Sequence, residues 1–347
     1  MKAWGGPPAE DGAGDDRAET AEAIEQAGFD LDPAAPADRH RHGPGTEPHA
    51  HPHAHSDPGA PPIIGIVGAG AVGTALGVAL QRAGWPIHAI ASRDPVRRDR
   101  FRRLVEGSRG FAEPTALVEE VELIIVAVPD DAIADVAGAV RMYSGQAMVH
   151  TSGLLGADAL TPAMAAGTQV GSFHPLVAFA DTERAVAALH GATIAIEGDD
   201  QLAELLARMA EAVGGLPVRV AAGSKAAYHA AAVLAAGGFV ALLDAIAELG
   251  RVAGLDEQGS LAIYGPLIEQ TLANARTLGI AAALTGPTTR GDVGTVRTHL
   301  ATLRQHAPAV VDLYAAAAQR EIALAEGRGA VSAEVAARLR SSLATAI

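Results

Sequence analysis

The sequence predicts an α/β protein, a doubly wound Rossmann sheet followed by an all-α C-terminal domain. Three observations predict it. Short β-branched runs alternate with helical patterns from Ile63 to Val220. After Ser224 the strand signal stops and apolar residues recur only at helical spacing. The 347 residues are 49% hydrophobic but only 3% aromatic, which suits two cores of helices and parallel strands better than a β-sandwich.

The expected organisation has three parts. Residues 1–60 carry 12 acidic and 4 basic side chains of a chain whose formal charge is −14. Apart from a marginal helix around Ala18–Gly28, this segment lacks the apolar residues to offset chain entropy and reads as a disordered acidic tail. Its chemical feature is the alternation of His49, His51, His53 and His55, preceded by His40 and His42. Such a tract either binds Zn or Ni loosely or is merely solvated. Residues 61–222 are expected to form the dinucleotide-binding domain and residues 223–347 an all-helical substrate and dimerisation domain.

Within the first domain, Ile63–Val67 has the length and branching of a buried parallel strand. Ala71–Gly84 then reads as a helix, Pro86–Ala91 as a strand, Val96–Glu106 as a helix, Val121–Val128 as a strand and Ala132–Ala139 as a helix. Ala147–His150, Gln169–Ser172, Ala192–Ile196 and Val218–Val220 read as further strands, all in a parallel sheet. Lys225–Ala253 predicts one long helix, which Gly237 and Gly238 either bend or pack closely against a neighbour. Ser260–Leu278, Val293–Ala307 and Ala309–Glu326 predict three more.

The segment GIVGAGAVGTAL places Gly68, Gly70 and Gly73 in a G-x-G-x-x-G spacing, between a strand and a helix. That context turns a weak motif into a dinucleotide site: Gly68 for the tight turn, Gly70 for backbone approach to a pyrophosphate, Gly73 for close helix–strand packing. Ala69, Ala71 and Val72 complete the phosphate-binding turn at the helix N-terminus. The second strand ends in AIASRDPVRR, where an NAD site usually has an acid. Ser92 and Arg93, with Arg97 and Arg98 behind them, suit a 2′-phosphate, so NADP(H) is expected; Asp94 is the dissenting residue. Val128 and Pro129 are expected to line the nicotinamide ribose, with Asp130 and Asp131 capping the next helix.

The succession VGAGAVG, VPDDAI, VHTSG, GSFHPL, KAAYHAA and LTGPTTRGD resembles a family of Rossmann-like proteins with a helical C-terminal domain of unknown function. That family lies in the 6-phosphogluconate-dehydrogenase-like superfamily and is often labelled deazaflavin-dependent NADP oxidoreductase-like; the resemblance covers about residues 61–320. It implies a catalytic lysine at the start of the first long helix of the second domain, as in ketopantoate reductase, and Lys225 occupies that place. An ammonium there would stabilise a developing alkoxide and donate the proton. His229 lies one turn on, on the same face; relatives often carry an amide there. His174 is either an alternative proton donor or a structural histidine bonded to a backbone carbonyl. His150 and Ser152 stand at another strand end. Arg290 either clamps a substrate carboxylate or pairs with Asp292 to fix its loop. Asn274 and His299 are lesser candidates.

The absence of cysteine excludes disulfides, thiolate catalysis and Cys-ligated metal, and no metal-ligand spacing stands outside the tail. The acidic balance argues against nucleic acid. No run of some twenty apolar residues is recognised, nor the basic-then-apolar order of a signal peptide, so no membrane partner and a cytoplasmic location are expected. The expected function is NADPH-dependent reduction of a small carbonyl acid, 2-dehydropantoate (ketopantoate) being the first to try. The alternatives are hydride exchange between NADP and a deazaflavin, and a non-catalytic NADP(H) sensor. The resemblance also implies a homodimer.

Overall fold

The computed structural model describes residues 60–164, 167–221 and 223–344. The acidic tail, its marginal helix and the histidine tract lie outside the described residues. The chain divides into two compact units, the first ending at Ala232 and the second beginning at Val233.

The first unit is an eight-stranded sheet in the order β3-β2-β1-β4-β5-β6-β7-β8. Its strands are β1 (Ile64–Val67), β2 (Ile87–Ala91), β3 (Arg109–Phe111), β4 (Leu123–Val126), β5 (Ala147–His150), β6 (Gln169–Pro175), β7 (Thr193–Glu197) and β8 (Leu216–Arg219). Between them run α1 (Ala71–Arg82), α2 (Pro95–Leu104), α3 (Pro114–Val118), α4 (Asp130–Ala139), α5 (Thr182–Ala188) and α6 (Asp200–Ala212), with α7 (Lys225–Val233) closing the unit. Alternate residues feed opposite faces: Ile64, Ile66, Leu123 and Ile125 enter one core, and Val67, Ile124 and Val126 the other. This two-sided burial explains why the strands read as continuous apolar runs rather than alternating ones.

Three expectations about these elements need correction. The sheet is not wholly parallel, because β6 and β7 pair antiparallel. The strand expected over Val121–Val128 is β4, which ends at Val126, so Val128 lies beyond it in the turn before α4. The short edge strand β3 and the helices α3, α5 and α6 were not foreseen; three residues of strand carry no usable period.

The predicted long helix is α7 and α8 (Phe239–Val252), joined by a π-helical turn over Leu234–Gly238. Gly237 has nothing within 4 Å of an added Cβ, so close packing is not its role; the glycine pair sits where the helix widens. The reading that no run is apolar enough for a bilayer is also corrected. Lys225–Val252 qualifies by length and composition, through an 18-residue window of mean hydropathy 2.1, and is the one such helix among the described residues. The second unit continues with α9 (Glu257–Leu278), α10 (Ile280–Ala283), α11 (Val293–His306), α12 (Val311–Gly327) and α13 (Ala333–Ala344). Its core joins α11, α12 and α13 through Val296, Leu300, Ile322 and Leu339.

Candidate active site

The glycine turn follows β1. Gly68 has φ +108° and a Cβ there would stand 2.2 Å from the Ala127 carbonyl oxygen, so only glycine makes this turn. At Gly73 an added Cβ would meet the Gly68 carbonyl at 2.1 Å, which is the close helix–strand contact. Gly70 differs: it precedes α1, and an added Cβ there has nothing within 4 Å. Its open side belongs to a cleft of about 720 Å³ lined by Gly68, Ala69, Gly70, Ser92, Arg93, Arg97, Val128 and Pro129, among others. A smaller hollow of about 310 Å³ shares Ala69, Gly70 and Arg97 and adds Ala71, Thr74 and Arg100. Ala71 opens α1; Val72 is half-buried behind it and packs on the core.

At the end of β2, Asp94 is engaged elsewhere. Its carboxylate accepts from Val96 N at 2.9 Å and Arg97 N at 3.2 Å, capping α2, and pairs with the Arg97 guanidinium at 3.3 Å. Arg98 donates to the Ser92 carbonyl oxygen at 2.7 Å and fixes the strand end. Arg93 is exposed at the cleft. Asp130 and Asp131 are not caps, contrary to expectation: Pro129 is the N-cap residue and the two acids form the first turn of α4, where they complement the helix dipole.

One row of strand neighbours crosses the sheet: Ala91, Val67, Val126, His150, Ser172 and Glu197. It turns from apolar to polar at β5, and its polar end receives Lys225. The Lys225 side chain is buried, donates to Ser172 Oγ at 2.8 Å and the Ser152 carbonyl at 3.2 Å, and lies 3.6 Å from Glu197 Oε2. Burial pulls its pKa below the usual lysine value, and Glu197 opposes that. Glu197 also accepts from Ser172 Oγ at 3.3 Å and Ala157 N at 3.0 Å. His150 is fully buried with both nitrogens engaged: Nδ1 accepts from Ser152 N at 3.2 Å, so Nε2 donates to the Gly156 carbonyl at 2.9 Å. It is a structural histidine, held neutral because burial lowers its pKa.

His174 lies two residues beyond Ser172, on the same face. Its ring stands 5.8 Å from that of His229 and 5.9 Å from that of Tyr228, both edge-on. Burial, then the neighbouring His229 and Lys225, push its pKa down to about 4. Gly153 borders the group: a Cβ there would approach His229 Nδ1 to 2.5 Å and His174 Nε2 to 2.7 Å. Asp130 acts electrostatically on Lys225, His150 and His174, which ties the cluster to the turn that lines the cleft.

Thus Lys225, His174 and His229 come together in the first unit. Arg290 is an exposed residue of the second unit. Asp292 caps α11 through Thr295 N at 2.9 Å; the Thr295 hydrogen bonds, and after them the charge of Arg290, hold its carboxyl below the usual carboxylate range. His299 is bound to the Tyr314 hydroxyl at 2.9 Å, and Asn274 is exposed on α9. Tyr228, Ser172, Glu197 and Gly153 were missed. Tyr228 was visible in KAAYHAA, one turn beyond Lys225, whereas Glu197 reaches the site only through the antiparallel pairing. No group of three or more metal-binding side chains occurs among the described residues.

Residues 51–175 match the model of the Rossmann-like domain, and residues 192–321 match that of a domain of unknown function, DUF2520. The two matches follow one another along the chain. The DUF2520 match begins at β7, so it includes Glu197, Lys225, Tyr228 and His229, while the Rossmann-like match holds the glycine turn, His150 and His174. No curated protein matches the chain in sequence. Among solved structures, it is similar to a candidate NADP oxidoreductase from Bacteroides fragilis, with TM-score 0.63 and 24% identity over 76% of this chain and 98% of that one. It is also similar to a reductive aminase from Aspergillus terreus in complex with NADPH and ethyl-5-oxohexanoate, with TM-score 0.55 and 20% identity over 83% and 94%. A third likeness is to 1-pyrroline-5-carboxylate reductase from Streptococcus pyogenes, with TM-score 0.54 and 16% identity over 77% and 98%. At these identities the likeness is one of fold.

Proposed function

We propose that this Rossmann–DUF2520 chain is an NADP(H)-dependent oxidoreductase that reduces a C=O or C=N bond of a small molecule. The observation that carries the reading is the shared rim: the glycine turn after β1, the Val128–Pro129 turn after β4 and the Lys225–His174 cluster after β5 and β6 all stand at the carboxyl ends of neighbouring parallel strands. In open α/β sheets that edge is where ligands bind. The cofactor fits the residues present. Gly70 leaves its side open for a pyrophosphate at the α1 N-terminus, and Ser92, Arg93 and Arg97 offer a hydroxyl and cations to a 2′-phosphate while Asp94 is held by the helix it caps. The names of the similar structures, one an NADP oxidoreductase candidate and one an NADPH complex, support the same cofactor. When bound, NADPH supplies the hydride.

Lys225 has its ammonium engaged by Ser172, Ser152 and Glu197. We assign it the task of holding α7 against the ends of β5 and β6, so that His174 and His229 keep their places. Fluorescence titration of the full chain with NADPH and NADH, followed by NADPH oxidation with 2-oxo acids, ketones and cyclic imines, tests the reading. Saturable NADPH binding tighter than NADH, with oxidation by at least one compound, is expected; no binding of either nucleotide would sink it.

We also propose a homodimer. α9 is 22 residues long, yet Ser260 is its one buried residue, and Leu261, Ile263, Leu267, Leu272 and Leu278 are exposed. A helix so apolar and so uncovered calls for a partner surface, and a second copy offers a self-matching one. A bilayer is the poorer partner for the neighbouring apolar run, because Lys225, Tyr228 and His229 at its start are drawn into the polar cluster.

A further inference from the structure

Among the described residues, three buried side-chain atoms have no hydrogen-bond partner: His174 Nδ1, Tyr228 Oη and His229 Nδ1. All three belong to one group, since the His174 ring is within 6 Å of both others. A buried polar atom without a partner is costly, so three side by side are poorly explained as packing. Gly153 closes the group on one side: its backbone comes so near that an added Cβ would stand 2.5 Å from His229 Nδ1 and 2.7 Å from His174 Nε2.

Charge then narrows the occupant. The ammonium of Lys225 is balanced by Glu197 at 3.6 Å, and Asp130 adds a second carboxylate field over His174 and Lys225. No positive charge is left over for an anion. His174, pushed down to about 4, is a neutral imidazole at neutral pH, and burial raises the Tyr228 pKa, which keeps its proton in place.

We infer that His174, Tyr228 and His229 form the subsite for an uncharged hydrogen-bonding group, the carbonyl oxygen or imine nitrogen of the molecule to be reduced, with Tyr228 as its proton donor. The inference rests on the reductase reading and deepens it. As hydride and its electron pair reach the substrate carbon, the π pair of C=O or C=N moves onto the heteroatom. The Tyr228 hydroxyl proton follows it, and the tyrosinate so formed regains a proton from water. The product is a neutral alcohol or amine. His174 and His229 touch the same heteroatom and orient it, whereas Lys225 positions the helix that carries Tyr228.

Calorimetric titration of the full chain with 2-pyrrolidinone, a neutral carbonyl, and with oxamate, a carboxylate, is the test, run with and without saturating NADP+. The expected result is binding of 2-pyrrolidinone, at least about 10-fold tighter than oxamate, and weakened about 10-fold in Tyr228→Phe, the loss of one buried hydrogen bond. NADP+ affinity should be unchanged in that variant, which retains the ring and therefore the packing. Tighter binding of oxamate, no binding of 2-pyrrolidinone in either state, or an unaffected Tyr228→Phe would overturn the subsite. Failure of NADP+ alone to bind would instead overturn the reductase reading, and the titration without cofactor still decides the subsite. With any compound that is turned over, Tyr228→Phe should lower kcat by about 100-fold or more, the usual worth of a general acid, and leave the NADPH Kd in place.

Discussion

At the residue scale, the second and third glycines of the cofactor turn do different work, and substitution separates them. Gly73→Ala forces a methyl onto the Gly68 carbonyl at 2.1 Å; unfolding in urea should show a loss of about 1–3 kcal/mol. Gly70→Ala meets no protein atom and should leave stability within about 0.5 kcal/mol while weakening NADPH at least about 10-fold by fluorescence titration. Equal stability of the two variants would contradict this division. The buried imidazoles set a second expectation. His174 is held near 4 and His150 is also lowered, whereas both are free to protonate near 6.5 when unfolded. Between those values the unfolded chain binds more protons, so stability should fall as pH drops from about 6.5 toward 4. His229 and Lys225 strengthen the effect on His174, and Asp130 opposes it. A urea midpoint unchanged between pH 7 and pH 5 would refute the assignment. The glycine turn was legible in the sequence because its whole logic lies within six residues. The cluster was only partly so: His174 and Lys225 stood out as chemistry in short motifs, but the atoms that satisfy Lys225 come from Ser152, Ser172 and Glu197, far apart along the chain.

At the element scale, the helix that carries Lys225 shows how local preference and tertiary role diverge. Apolar spacing and length predicted its course well, and the glycine pair correctly marked its irregular place. The pair lies in a π-helical turn with open space at Gly237, so glycine there weakens the helix without serving a contact. Gly237→Ala should raise stability by about 0.5–1 kcal/mol, read from the thermal midpoint; a loss would mean that the widened turn itself is needed. Strands β1, β4 and β5 were legible for a different reason: burial on both faces writes an unbroken apolar run. The reversal at β6–β7 left no such mark. An antiparallel neighbour and a parallel one bury the same kinds of residue, and the direction depends on α5 and its connections, whose pattern is weak.

At the scale of the whole molecule, association is the leading expectation. Light scattering should give twice the chain mass, and Leu267→Asp with Leu272→Asp should give one chain mass, since a charge in a buried apolar interface is strongly unfavourable. A monomeric parent chain would remove the dimer proposal and leave α9 without an explanation. The sheet also makes the first unit one-sided. The glycine turn, His174, Lys225, Tyr228 and His229 gather at the rim where β1, β4, β5 and β6 end, while the opposite rim, where Leu123, Ala147 and Gln169 begin their strands, borders a separate hollow edged by Glu204 on α6. Because the chain has no cysteine, Glu204→Cys would supply a lone thiol on that far rim. A fluorophore attached there would report on nucleotide binding from the opposite edge of the sheet, without a dye touching any residue that the ligand touches.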